Sequence, residues 1–181
     1  MVNLRTMVES LKGLFKPSTV PFPYRQIPVA EGFRGKPLYD KERCVGCGAC
    51  SQVCPAGAIS VVDEGSTRTV RVWHGHCAFC GRCEDTCPWE AVKLSREFII
   101  AVVDKEEAED KVELELTRCV NCGSPFITGR HLAKIIEQVE PTLTKKGASL
   151  DEYRSLASLC PSCRARPDVL KRSHAFMLKM G

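Results

Sequence analysis

Residues Cys44–Pro55 read CVGCGACSQVCP and residues Cys77–Pro88 read CAFCGRCEDTCP, two copies of one pattern, C-x2-C-x2-C-x3-C-P. An iron–sulfur cubane needs three thiolates converging from a tight loop and a fourth from elsewhere. In this pattern the fourth cysteine of each run ligates the cluster seeded by the other run. The spacing therefore predicts two [4Fe–4S] clusters, the first held by Cys44, Cys47, Cys50 and Cys87 and the second by Cys77, Cys80, Cys83 and Cys54. Gly48 and Gly81 fall at the same place in each copy, where the lack of a side chain lets the backbone approach inorganic sulfide. Pro55 and Pro88 then turn the chain away. A zinc site or a disulfide framework explains the pattern less well, because zinc sites use paired knuckles and not triplets.

The repeat reaches past the ligands. With Cys44 laid over Cys77, Ala58 meets Ala91, Ile59 meets Val92 and Val61 meets Leu94, as an internal duplication requires. Each half reads as a loop, a short helix through the third and fourth cysteines, and a β-rich apolar segment. The fold class expected is α+β, a two-cluster bacterial ferredoxin-like core with an N-terminal helix and extended arm and a C-terminal helical four-cysteine metal module. The boundaries expected are residues 1–37, 38–103 and 104–181.

The 181 residues include twelve cysteines, 13 glycines and 11 prolines, which suits small metal-nucleated modules in series better than one large apolar core. No apolar run approaches the ~18 residues of a membrane span, and no basic segment leads into an apolar export signal. Thiolate clusters need a reducing compartment, so the expected location is the cytoplasm or the cytoplasmic face of a membrane. A net charge of +4 is too small and too dispersed for a nucleic-acid footprint.

Leu4, Met7, Val8, Leu11, Leu14 and Phe15 recur at helical spacing, and Pro17 ends the helix. Pro17, Pro21, Pro23, Pro28 and Pro37 predict an extended arm over residues 17–37 that lies on another subunit. Ile59 to Val62 and Thr69 to Trp73 read as a hairpin turning at Asp63-Glu64-Gly65-Ser66. His74 and His76 precede Cys77 as neighbours that hydrogen bond or titrate, since the ligand count is already complete. Trp73, Phe79 and Trp89 are expected to keep water from the clusters. Phe98 to Val103 reads as a buried strand, and Lys105 to Lys111 as a solvated boundary. Val112, Leu114 and Leu116 alternate with Glu113, Glu115 and Thr117 as a half-buried strand feeding Cys119.

The last four cysteines form a different motif, two C-x2-C knuckles at Cys119/Cys122 and Cys160/Cys163. Two knuckles present four thiolates tetrahedrally to one ion, which points to structural Zn2+, with mononuclear iron as the rival. Between them Leu132, Ile135, Ile136 and Val139 predict a helix stopped by Pro141, and Leu150, Tyr153, Leu156 and Ala157 a second. A third follows Pro167, with Val169, Leu170, Phe176 and Met180 on one face.

The eight-cysteine core, the segment Gly32-Phe33-Arg34-Gly35-Lys36-Pro37 and the run His76 to Cys83 resemble the ferredoxin-type subunit shared by respiratory complex I and group 4 membrane-bound [NiFe] hydrogenases. The similarity is to the formate hydrogenlyase type, which carries a second set of CxxC pairs where the complex I versions lack them. The resemblance implies a non-catalytic wire that relays electrons from a donor module toward the hydrogenase small and large subunits and rests on a membrane-arm subunit. Its alternative is a wire in a complex I-like dehydrogenase that reduces quinone or another carrier. No nucleophile–base pair, nucleotide loop or open metal position suggests catalysis by this chain alone.

Overall fold

The structure is a computed structural model that describes residues 4–15, 25 and 28–180, with only the backbone of Phe15, Lys179 and Met180. The chain divides into two compact units, Met1–Phe33 and Arg34–Gly181. In the first unit, α1 (Leu4–Phe15) is an amphipathic helix whose Leu4, Met7, Leu11 and Leu14 are each more than half exposed. The expected stop at Pro17 and the extended conformation around Pro21 and Pro23 lie outside the described residues.

The second unit begins with β1 (Pro37–Tyr39), which pairs antiparallel with β4 (Val92–Leu94) so that Tyr39 faces Val92. Pro37 opens the strand, where its missing N–H leaves no ladder bond unmade. Residues 34–37, expected to reach out to another subunit, are instead built into this edge. The Gly35 amide donates to the Ser95 carbonyl at 2.9 Å, and Lys36 Nζ meets Glu97 Oε2 at 2.6 Å. A Cβ on Gly35 would lie 2.3 Å from the Glu97 carbonyl oxygen, so only glycine permits this approach.

The hairpin forms from β2 (Ile59–Glu64) and β3 (Thr67–Trp73). Both strands run further than expected, leaving a tight turn at Gly65-Ser66 with Gly65 at φ 59°. Such a turn matches the twist of the flanking strands. β5 (Glu109–Arg118) then pairs with β3, and β6 (Pro125–Thr128) pairs with β5, giving the sheet order β2-β3-β5-β6. Val112, Leu114 and Leu116 are buried while Lys111, Glu113 and Glu115 are exposed, as the alternation demands.

Two expectations fail here. Glu109 to Lys111 are no boundary but the start of β5. The charges find partners across the sheet, Arg71 with Glu109 at 3.0 Å and His74 with Asp110 at 3.0 Å. Phe98 to Val103 forms no strand, and Ile99, Val102 and Val103 are exposed. A β-branched run becomes a strand only where a neighbour accepts its backbone bonds, and none of the described strands pairs with it.

The short helices α2 (Ala49–Gln52) and α3 (Arg82–Thr86) follow the two glycines Gly48 and Gly81, both left-handed, at φ 78° and 84°. The duplication extends to the backbone. Gly46 and Phe79, equivalent under the repeat, have φ 70° and 51°, and the equivalent Gly57 and Glu90 have φ 60° and 50°. Ile59, Val70, Val72, Val92, Val112 and Leu114 form the core between the cysteine loops and the sheet. Each such side chain contributes about 1.5–3 kcal/mol by leaving water.

The C-terminal region holds α4 (Gly129–Lys145), α5 (Leu150–Ala157), α6 (Pro161–Arg164) and α7 (Pro167–Met180). Pro141 does not stop α4, which continues one turn past it. The reason lies in Leu143, which is 1% exposed and anchors that last turn in the second core with Leu156, Leu159, Val169 and Phe176. On α7 Val169 and Phe176 are buried, whereas Leu170 faces solvent.

Candidate metal centres

The two cysteine loops close around two separate cavities. One is lined by Cys44, Cys47, Cys50 and Cys87, with Tyr39, Val70, Trp89 and Val92 behind them. The other is lined by Cys54, Cys77, Cys80 and Cys83, with Pro37, Ile59, Phe79 and Leu94. Each cavity therefore takes three cysteines from one run and the fourth from the other.

Local chemistry prepares the loops. Asp40 Oδ1 accepts from the amides of Glu42 at 2.8 Å and Arg43 at 3.1 Å, and its carbonyl takes the Cys44 amide at 3.0 Å. Those amides of Arg43 and Glu42 also hold the Asp40 carboxyl below its ordinary range. The Ala91 amide points at Cys87 Sγ at 3.3 Å and the Phe79 amide at Cys77 Sγ at 3.5 Å. Burial pushes the thiols of Cys44, Cys50 and Cys77 up, and that of Cys83 up to about 11. A buried thiolate is costly without a compensating cation, which the iron of a bound cluster would supply.

Around the first cavity two groups fit a bound cluster in a further way. The Tyr39 hydroxyl and the Trp89 indole nitrogen are buried with no hydrogen-bond partner among the described residues. The hydroxyl still acts on the Cys50 thiol, drawing it down against the effect of burial, although the two make no hydrogen bond of ordinary geometry. Trp89 and Phe79 line the cavities as expected. Trp73 lines neither; it is 40% exposed and stacks on His76 at 4.8 Å. His74 is buried on the Asp110 carboxylate at 3.0 Å.

The second set of cysteines is arranged differently. The sulfurs of Cys119, Cys122, Cys160 and Cys163 all lie within 4.8 Å of one another, and those of Cys122 and Cys160 are 3.6 Å apart. Four thiolates at about 2.3 Å from a single tetrahedral ion stand about 3.8 Å apart. Among the described residues no other group of cysteines, histidines and carboxylates converges so closely. The Cys160 amide donates to Cys119 Sγ at 3.2 Å and the Asn121 side-chain amide to Cys163 Sγ at 3.1 Å. At Cys119 burial acts to raise the thiol, but the amides of Cys160, Cys122 and Asn121 outweigh it and bring it down to about 6. The side chain and amide of Ser124 draw Cys122 down as well. At Cys163 the Asn121 amide pulls down, yet burial and the neighbouring thiols leave it up to about 11. A quartet with some thiols readily ionised suits a divalent cation.

Sequence reasoning did not find what ties this region to the first cluster loop. β6 delivers Thr128, fully buried, whose hydroxyl donates to the Val45 carbonyl and accepts the His131 amide at 3.2 Å. Arg130 donates to the carbonyls of Lys41 and Glu42. Arg68 on β3 is clamped by Asp63 at 2.7 Å and donates to the Gly46 carbonyl at 3.1 Å. The signal for Thr128 was present in its N-cap position before an amphipathic helix; its second bond, to a carbonyl far back along the chain, had none.

A family model for the 4Fe–4S dicluster domain matches residues 43–91. Formate hydrogenlyase subunit 6 of Escherichia coli strain K12 is 38% identical over 151 residues, covering 81% of this chain and 81% of that protein. Among solved structures, a chain of the membrane-bound sulfane sulfur reductase (MBS), an archaeal respiratory membrane complex, is 30% identical with a TM-score of 0.40. That match covers 60% of each chain. On the extent and identity of the first match, this chain belongs to the formate hydrogenlyase subunit 6 family, with a 4Fe–4S dicluster domain at its centre.

Proposed function

We propose that this chain is an electron-transfer subunit, holding one [4Fe–4S] cluster on Cys44, Cys47, Cys50 and Cys87 and a second on Cys54, Cys77, Cys80 and Cys83. The observation that carries this reading is the crossing of the two runs, three cysteines and one, at each cavity. When bound, such clusters supply one-electron exchange without rearrangement of their ligands. The chain's own part is to hold and insulate them. The shared cysteines Cys54 and Cys87 fix the two sites close together, while Trp89, Val70, Phe79 and Ile59 form the apolar walls that limit water.

The complex served is a membrane-bound hydrogen-evolving one, with the chain between a donor module and the hydrogenase small and large subunits, peripheral on the cytoplasmic face. Membership of the formate hydrogenlyase subunit 6 family supports this. Among the described residues no helix is long and apolar enough to cross a membrane, so attachment runs through partner subunits. The exposed apolar side of α1 and the exposed Ile99, Val102 and Val103 supply surface for them. The quartet Cys119, Cys122, Cys160 and Cys163 holds one structural Zn2+. Its close sulfur spacing supports a single ion over a cubane, and mononuclear iron is the remaining alternative.

Cys54→Ser tests the wire. The variant should change the low-temperature EPR signal of the cluster seeded by Cys77, Cys80 and Cys83, leaving the signal of the other unaltered. Damage confined to the cluster seeded by Cys44, Cys47 and Cys50 would overturn the crossed arrangement.

A further inference from the structure

The two cluster cavities are copies by descent but not in their polar lining. Tyr39 and Trp89 both line the cavity of Cys44, Cys47, Cys50 and Cys87. Each buries an X–H group that meets no acceptor among the described residues. Such an orphaned donor is costly to bury, so two of them at one cavity call for an acceptor that belongs there. The repeat supplies an internal control. In the register that lays Cys44 over Cys77, Tyr39 corresponds to Val72 and Trp89 to Ala56. Neither Val72 nor Ala56 has a side chain that can donate a hydrogen bond, and the cavity of Cys54, Cys77, Cys80 and Cys83 has no buried side-chain donor without a partner among the described residues that line it.

The surroundings differ in depth too. In the first set Cys44 and Cys50 are buried and Cys47 and Cys87 partly so; in the second only Cys83 is buried, Cys54 and Cys77 are partly so, and Cys80 is exposed. Reduction adds a negative charge to a cluster. Burial in an apolar wall makes that charge less favourable and lowers the potential, while a hydrogen bond donated to cluster or cysteine sulfur stabilises the charge and raises it. Arginines stand near both sites and do not decide the matter. Arg68 and Arg130 bond to carbonyls beside the first; beside the second Arg34 bonds to the Cys80 carbonyl and the exposed Arg82 lines the cavity, a charge that acts on the second site and leaves the donors of the first unchanged.

We propose that Tyr39 and Trp89 are positioning residues for the first cluster only, donating hydrogen bonds to its sulfur atoms and raising its potential against the lowering effect of its burial. The proposal rests on the ligand assignment above. It makes part of the electronic inequality of the two sites a property of two side chains that the duplication did not copy.

The full-length protein, reconstituted with iron and sulfide, is titrated anaerobically and followed by EPR as Tyr39→Phe, Trp89→Phe and the double variant. Losing one donor should shift the reduction equilibrium of a single cluster about tenfold toward the oxidised form, which is about 59 mV more negative for a one-electron couple. The signal that moves should be the one left unaltered by Cys54→Ser. Deuterium exchange followed by ENDOR should show an exchangeable proton coupled to that cluster and lost in Tyr39→Phe. Unmoved midpoints in the double variant with eight irons bound, or movement of the other signal, would overturn the proposal. Fewer than eight irons in the unsubstituted protein would instead remove the ligand assignment, and this proposal with it.

Discussion

The dicluster core and the C-terminal quartet use the same ligand in opposite ways. In the core the thiols line two cavities, burial pushes those of Cys44, Cys50, Cys77 and Cys83 up, and the loops that carry them are bent at Gly46, Gly48, Gly81 and Phe79. At the C-terminus four sulfurs already converge within 4.8 Å, with amides drawing Cys119 down to about 6. The first arrangement leaves a cavity for an object with its own inorganic frame, whereas the second brings four sulfurs near the spacing of a single tetrahedral ion. The number of cysteines therefore says little about the metal, and the distance between their sulfurs a great deal.

The largest expected effect comes from removing the C-terminal ion. The core around it is small, and three of its buried members are Cys119, Cys160 and Cys163 of the quartet. Structural zinc contributes roughly 10–16 kcal/mol in zinc-finger peptides, about as much as the burial of the five apolar members Leu143, Leu156, Leu159, Val169 and Phe176 together, so about half of what opposes the chain entropy here goes with the ion. Cys160→Ala should therefore lose the ion and the circular dichroism of α5 to α7, while iron remains at eight atoms. Loss of iron along with zinc would mean that the two regions fold as one unit, transmitted through Thr128 and Arg130.

A smaller effect separates the two loops from their surroundings. Gly46 has φ 70°, and a Cβ there would lie 2.7 Å from Leu114 Cδ1 in β5. Gly57 has φ 60° with nothing within 4 Å. A left-handed L-residue costs about 1–2 kcal/mol. Gly57→Ala should cost no more than that in anaerobic urea unfolding, and Gly46→Ala should cost about 1–3 kcal/mol beyond it through overpacking. Equal losses would show that β5 does not press on the first loop.

The smallest effect lies at the seam. Burial, and then the Arg68 charge, lower the pKa of His131 at the start of α4. The folded state thus favours the neutral ring, so its contribution is present above the unfolded value near 6.5 and is lost as pH falls through the folded one. Stability of the holoprotein should fall as pH drops from neutrality through the folded value, by a modest amount that His131→Gln abolishes. The same slope in the variant would assign it elsewhere.

Much of this was legible in the sequence because the chemistry is local. Triplet against pair spacing separated the two kinds of site, and the alternation at Val112, Leu114 and Leu116 marked β5. What escaped depends on distant partners. Phe98 to Val103 has strand-forming residues but no described strand beside it, Pro141 is carried inside α4 by the burial of Leu143, and β6 is too short to announce itself without β5. The paired donors Tyr39 and Trp89 come together only when β1 and the second loop meet at one cavity.

Whether one chain holds two clusters and one single-ion site is decided by the metal content of the anaerobically purified full-length protein. Eight irons and one zinc per chain are expected, whereas twelve irons without zinc would make the C-terminal quartet a third cubane and contradict that division.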